Sequence, residues 1–152
     1  MFYKDLLKID RSCPFCDSNS HRIIKKEKEA FLIYSIVPYH KHHLLITPYR
    51  HIKDFLELNK KEIVSIDKLL HFGIKLLNIL GYKDYNILLR NGDNNIKTVE
   101  HLHYHIIPVV AIGNLNHKGE ERKVMTEKEM NKISRDFEVA KLKMNKKRQP
   151  RF

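Results

Sequence analysis

Three histidines alternate with apolar residues in His101-Leu102-His103-Tyr104-His105-Ile106-Ile107-Pro108. In an extended strand successive side chains point to opposite faces, so this spacing predicts the three imidazoles in a row on one face and Leu102, Tyr104 and Ile106 on the other. Such a row can bind a metal, move protons or attack an electrophile. With 10 histidines in 152 residues a chance cluster is the plain alternative, but strict alternation inside an apolar stretch argues against it.

The second constellation is Cys13-Pro14-Phe15-Cys16, which holds both cysteines of the chain. In a reducing compartment this spacing points to metal or redox chemistry before a structural disulfide. Two thiolates supply half of a tetrahedral zinc site, so two further ligands must come from elsewhere. His51, after Pro48-Tyr49-Arg50, and His101, at the start of the histidine row, both fall at expected strand ends and could converge there. A thioredoxin-type pair is the rival, although no βαβ pattern flanks the motif; two inert buried thiols are the other alternative.

The elements that must position these residues follow from periodicity. Residues 30–37 and 43–47 are rich in β-branched and aromatic types and end at Pro38 and Pro48, which predicts two paired strands. Between residues 59 and 80, Ile63, Ile66, Leu70, Ile74 and Leu77 recur at steps of three and four, with Asn59 and Glu62 as a cap pair and Gly81 just past the end. Residues 85–90 and 99–110 read as further strands around a turn-rich Asn91-Gly92-Asp93-Asn94-Asn95 loop. A last helix should start at Thr126, with Glu129 completing a capping box, and bury Met130, Ile133 and Phe137. Short connections between strands predict an α+β fold: a mainly antiparallel sheet with a long helix and a C-terminal helix packed on it.

Composition sets the outer bounds. The chain has the length of one domain, and 42% hydrophobic residues can fill one core, so residues 1–152 are expected to form a single domain with one active site. Lys and Arg outnumber Asp and Glu by 29 to 18, a net charge of +11 that favours polyanionic partners such as nucleotides or nucleic acid. Residues 141–152 carry Lys141, Lys143, Lys146, Lys147, Arg148 and Arg151 and are expected to be a solvated tail. No signal-peptide pattern or run of about 20 apolar residues occurs, which leads us to expect a soluble, cytoplasmic protein without a membrane partner.

The histidine row resembles the signature of the histidine-triad superfamily, His-φ-His-φ-His-φ-φ with φ apolar, and specifically its zinc-containing bacterial-type hydrolases and nucleotide-binding proteins. The resemblance extends to Cys13-Pro14-Phe15-Cys16, Ala30-Phe31-Leu32, His43-Leu44-Leu45-Ile46-Thr47-Pro48 leading to His51, Asn91-Gly92, and Pro108. It implies a HIT-like fold and one structural zinc on Cys13, Cys16, His51 and His101, with no organic cofactor. It also implies that His103 attacks the α-phosphorus of a nucleotide, that His105 and His43 contact the phosphate and steady the nucleophile, and that water releases a nucleoside monophosphate. Nucleotidyl-histidine chemistry suits a neutral imidazole near pH 7. The chain is thus expected to be a nucleotidyl hydrolase or transferase, and family members of this size imply a homodimer through the helix of residues 59–80.

Two departures bear on substrate. Ser35 stands where the family usually has Asp for the ribose hydroxyls, and a hydroxyl cannot offer a bidentate carboxylate. Asn95-Ile96-Lys97-Thr98 replaces the usual run before the triad, keeping a hydroxyl and adding a cation that could pair with phosphate or face solvent. Ser35, Asn91, Lys97 and Thr98 are accordingly the expected substrate-binding residues. The net charge keeps two alternatives open: a nucleic-acid-binding zinc module, or an enzyme that processes nucleotidylated nucleic-acid ends.

Overall fold

The computed structural model describes residues 1–2, 5–6, 12–16, 20–92, 99–110 and 122–148. In chain order the elements are β1 (Ile23–Lys26), β2 (Ala30–Tyr34), β3 (Leu44–Pro48), α1 (Lys60–Ile79), β4 (Tyr85–Leu89), β5 (Tyr104–Pro108) and α2 (Glu127–Arg148). The strands form one five-stranded sheet in the order β1-β2-β3-β5-β4, and every neighbouring pair is antiparallel. This is the expected α+β arrangement, with both helices on one face.

Alternation along the strands sorts the side chains. Leu32, Tyr34, Leu44, Ile46 and Ile106 join Ile66, Leu69, Leu76 and Leu77 of α1 and Ile133, Phe137, Ala140 and Met144 of α2 in the main core. The opposite parity sends Phe31, Ile33 and Leu45 to the other face, where Phe15 covers them. Because both faces are covered, β2 and β3 are buried at every position, which explains their unbroken apolar runs. The register pairs Ile33 with Leu45, and Leu45 with His105, so His105 lies beside this second cluster.

Helix α1 matches the expected boundaries because both ends are chemically specified. Asn59 and Glu62 form a reciprocal capping box, and at the far end Gly81 turns with φ +97°, its N–H on Asn78 O and that of Tyr82 on Leu77 O. The buried stripe differs from the expected one. Ser65, Ile66, Leu69, Gly73, Leu76 and Leu77 face the sheet, whereas Ile63 is exposed and Leu70 and Ile74 are half-buried. The reason is Gly73, which lets the helix axis approach the sheet: a Cβ there would stand 2.9 Å from Ile106 Cδ1 and 3.3 Å from Leu44 Cδ1.

The capping box of Thr126 and Glu129 is formed, and α2 buries Ile133 and Phe137 while Met130 is partly buried. Of the basic segment expected as a solvated tail, residues 141–148 are the last turns of α2: Lys143, Lys146 and Lys147 are exposed, while Met144 is buried because the apolar spacing 133, 137, 140, 144 continues the helix stripe. Strand β1 was not foreseen, and the histidine strand is shorter than expected. It begins only at Tyr104, since Leu102 spends its N–H on Ile52 O and its carbonyl on the Thr47 hydroxyl. His101 and His103 therefore precede the ladder, and His105 alone sits in it.

Candidate active site and metal centre

Cys13, Cys16, His51 and His101 come together although the sequence separates them widely: their ligand atoms all lie within 4.8 Å of one another. Cys13 Sγ is 3.4 Å from His101 Nδ1, and Cys16 Sγ is 3.2 Å from His51 Nδ1 and 3.7 Å from His101 Nδ1. Sulfur at about 2.3 Å and nitrogen at about 2.0 Å from a tetrahedral ion stand roughly 3.5 Å apart, which the three sulfur–nitrogen distances above already match. His101 Nε2–H donates to Pro48 O at 2.9 Å, which fixes the tautomer and turns the lone pair of Nδ1 toward the sulfurs. His51 is placed by its neighbour. The Arg50 guanidinium clamps Glu62 of α1 through Nε at 2.8 Å and Nη2 at 3.0 Å, and also donates to Glu57 O at 2.7 Å. Those bonds hold the Glu62 carboxyl below the usual carboxylate range. The donor set and its spacing fit one metal ion.

Further along the same face, a solvent-open cleft of about 90 Å³ is lined by Phe15, Arg22, Ser35, His43, His103, His105 and Arg122, among others. Its imidazoles are oriented by partners whose roles are unambiguous. His103 Nδ1 is 2.7 Å from His101 O, a pure acceptor, so Nδ1 carries the proton and Nε2 the lone pair. The Tyr39 backbone N–H donates to His43 Nδ1 at 3.3 Å, so neutral His43 is protonated at Nε2, which lies 2.9 Å from His105 Nδ1. His105 then accepts on Nδ1 and keeps its proton on Nε2. The His103 and His105 rings are 4.8 Å apart, and Phe15 packs 4.9 Å from His103. Burial, with the charges of nearby Arg122, Arg90 and His103, pushes His43 and His105 well below the ordinary histidine range, so both are neutral near pH 7.

Ser35 lines this cleft, 6% exposed, but its Oγ accepts the Val37 N–H at 3.2 Å. Asn91 is elsewhere: Oδ1 accepts from Phe55 N–H at 2.7 Å and Nδ2 donates to Asp54 Oδ2 at 3.0 Å, tying the loop after β4 to the turn before α1. Lys97 and Thr98 lie outside the described residues. Sequence reasoning missed Phe15, Arg22 and Arg122 as cleft residues. Phe15 was readable only as the spacer between two cysteines, and the arginines carry no local pattern that distinguishes them from the other basic residues.

An antiparallel sheet backed by two helices, with a histidine row beside a Cys2His2 cluster on the face away from them, defines the histidine-triad class. The chain belongs to that superfamily: it matches the HIT domain family over residues 17–111. It is 30% identical over 87 residues to an uncharacterized HIT-like protein of Methanocaldococcus jannaschii, covering 57% of this chain and 67% of that one. To the adenosine 5′-monophosphoramidase hnt1 of Schizosaccharomyces pombe it is 35% identical over 79 residues, 52% of this chain and 56% of that enzyme. The chain thus spans little more than half of the second relative. Among solved structures, a hypothetical histidine-triad nucleotide-binding protein of Sulfolobus tokodaii superposes with a TM-score of 0.70 at 17% identity, over 90% of this chain and 96% of that one. The diadenosine triphosphate hydrolase of Plasmodium falciparum, in complex with cyclomarin A, gives 0.63 at 20% identity over 97% and 99%. A zinc-bound histidine-triad protein of Mycobacterium smegmatis gives 0.63 at 19% over 87% and 97%. These structural likenesses establish the fold. Among the described residues no helix is long and apolar enough to cross a membrane.

Proposed function

We propose that this protein is a nucleotidyl hydrolase or transferase that cleaves a nucleoside-monophosphoryl phosphoramidate, ester or anhydride through His103. The observation that carries the reading is the tautomer of His103: its Nδ1–H is held by His101 O at 2.7 Å, which leaves Nε2 as the nucleophilic nitrogen of a residue lining the cleft. His101 cannot serve if its Nδ1 is committed to metal. His105 presents an N–H instead of a lone pair and is suited to donate to a phosphoryl oxygen as charge develops there. In the first step the Nε2–P bond forms as the bond to the leaving group breaks; in the second, water or another acceptor attacks phosphorus and the Nε2–P bond breaks. His43 supports this through its bond to His105 Nδ1, which keeps the His105 proton on the cleft side. The phosphoramidase and diadenosine triphosphate hydrolase activities of the two named relatives support the reaction class.

Zinc is the metal that best suits two thiolates and two imidazoles, and it would act structurally, locking the Cys13–Cys16 turn to the segment that leads into the histidine row. The reading includes a homodimer through α1, whose outward Ile63 and Val64 are 46% and 53% exposed beside half-buried Leu70 and Ile74. Sedimentation should give twice the 18.2 kDa chain mass, and a monomer at micromolar concentration would refute that part. For the reaction, acid quenching during turnover of an α-phosphorus-labelled nucleotide should trap label on His103. Label on another residue, or none with turnover intact, overturns the assignment.

A further inference from the structure

His42 and His43 are neighbours in sequence that face opposite sides of the sheet. His43 lines the cleft, whereas His42 is 4% exposed on the helix side, its ring 5.4 Å from that of Phe137 and nearly perpendicular to it. The proposed reaction gives His42 no task, yet both of its ring nitrogens are committed. Nε2 lies 2.7 Å from Asp136 Oδ2 on α2, and Nδ1 lies 2.8 Å from the hydroxyl of Tyr82, just past α1. Burial is the largest influence on His42 and lowers it below the ordinary histidine value, so the ring is neutral near pH 7. A carboxylate only accepts, so Nε2 carries the proton and Nδ1 accepts the Tyr82 O–H. An imidazole bonded on both sides is held in one orientation, and it ties the turn of residues 39–43 to α2 and to the segment that follows α1.

The same turn sets the protons at the front of the sheet. His43 N–H donates to His40 O at 2.8 Å, His42 N–H donates to His40 Nδ1 at 3.2 Å, and the His40 ring stands edge-on to Tyr82 at 5.0 Å. Together they place the Tyr39 N–H on His43 Nδ1, at 3.3 Å the longest of these bonds. That bond makes His43 an acceptor at Nδ1 and a donor at Nε2, where it meets His105 Nδ1 at 2.9 Å and leaves the His105 proton on Nε2. With the Tyr39 N–H drawn away, His43 is free to carry its proton on Nδ1 and present a lone pair to His105. His105 then answers with Nδ1–H and turns a lone pair, not an N–H, toward a phosphoryl oxygen. We infer that His42 and Asp136 are positioning residues, which hold the turn 39–43 from the helix side and thereby keep the His105 proton on Nε2. The inference rests on the nucleotidyl reading, in which that N–H stabilises the charge developing on the phosphoryl group.

Imidazole ¹H–¹⁵N correlation spectra of the zinc-loaded full chain read the tautomers directly, and turnover of adenosine 5′-phosphoramidate reads the reaction. Wild-type His105 should carry its proton on Nε2. His42→Leu keeps apolar packing against Phe137 and loses both bonds, and Asp136→Ala removes the acceptor. Each should move a measurable share of His105 to the Nδ1–H form and lower kcat roughly tenfold, with KM changed less than about twofold. Asp136→Asn, whose carbonyl oxygen still accepts from His42 Nε2–H, should stay close to the wild type in both readouts. A wild-type His105 protonated on Nδ1, or a His105 tautomer unchanged in the folded variants, overturns the inference whatever happens to kcat. So does a tautomer shift without loss of kcat, or a defect in Asp136→Asn as large as in Asp136→Ala, which would assign the effect to charge and not to the bond. If His42→Leu does not fold, Asp136→Ala decides alone, at a side chain that is 30% exposed. A wild type without turnover overturns the nucleotidyl reading, while the spectra still decide whether His42 and Asp136 set the His105 proton.

Discussion

His101 and His103 are two residues apart and nearly equally buried, yet they present opposite ring nitrogens. His101 gives its Nε2–H to Pro48 O and turns Nδ1 to the cysteines, whereas His103 gives its Nδ1–H to His101 O and keeps its lone pair on Nε2. The difference lies in which carbonyl lies within reach, not in the residue type. In the proposed mechanism, a backbone acceptor on one side of an imidazole leaves the other nitrogen to serve as ligand in His101 and as nucleophile in His103. The metal corner and the cleft are therefore two uses of one side chain, and each should fail in its own way.

The sharpest break of that contrast is His103→Asn. It should lower kcat by at least about 1,000-fold, as for loss of a nucleophile, while metal content and unfolding midpoint remain close to those of the wild type. Loss of metal together with activity would merge the two regions. Next in size, Cys13→Ser should release the metal and lower unfolding free energy on the order of 4 kcal/mol, with a smaller effect on turnover per folded molecule. Denaturant titration beside active-site counting checks this; a variant of full stability but no turnover would move the metal into the chemistry.

The smallest effect concerns pH. His43 and His105 are held well below the ordinary value of 6.5, first by burial, so the native state binds fewer protons than the unfolded chain once pH falls below about 6.5. Stability is then fully present above that value and declines as pH falls toward the lowered native values. The urea midpoint should be lower at pH 5.5 than at pH 7.5, and the drop should be smaller in His43→Asn. The comparison with the variant removes any proton release from the metal ligands, which both proteins share. An identical drop in both would show that His43 is not a source of the dependence.

Much of this was legible in sequence because it is local. The Asn59–Glu62 and Thr126–Glu129 boxes and Gly81 fixed helix ends, and the row from His101 to His105 pointed to the site. What escaped depends on distant partners. Strand β1 reads Ile-Ile-Lys-Lys, without alternation, and exists because β2 supplies its ladder. The delayed start of β5 comes from Ile52 and Thr47, and the place of Arg122 in the cleft from Val37 and Tyr39, 85 and 83 positions earlier in the chain. In α1 the spacing pointed to Ile63, Leu70 and Ile74 beside Ile66 and Leu77, whereas the helix lays Leu69, Gly73 and Leu76 on the sheet, a choice set by contacts with Leu44 and Ile106.

That approach sets the helix directly behind the strands that carry the cleft. Leu44 and Ile106, the pair on which Gly73 rests, are cross-strand partners, and each is the immediate neighbour in sequence of a cleft histidine, His43 and His105. The 2.9 Å contact between those two imidazoles thus lies on the face of the sheet opposite the place where Gly73 meets Leu44 and Ile106. One methyl group added at Gly73 would meet the δ1 methyls of Ile106 and Leu44 before any backbone atom, so these two side-chain tips would have to turn aside first.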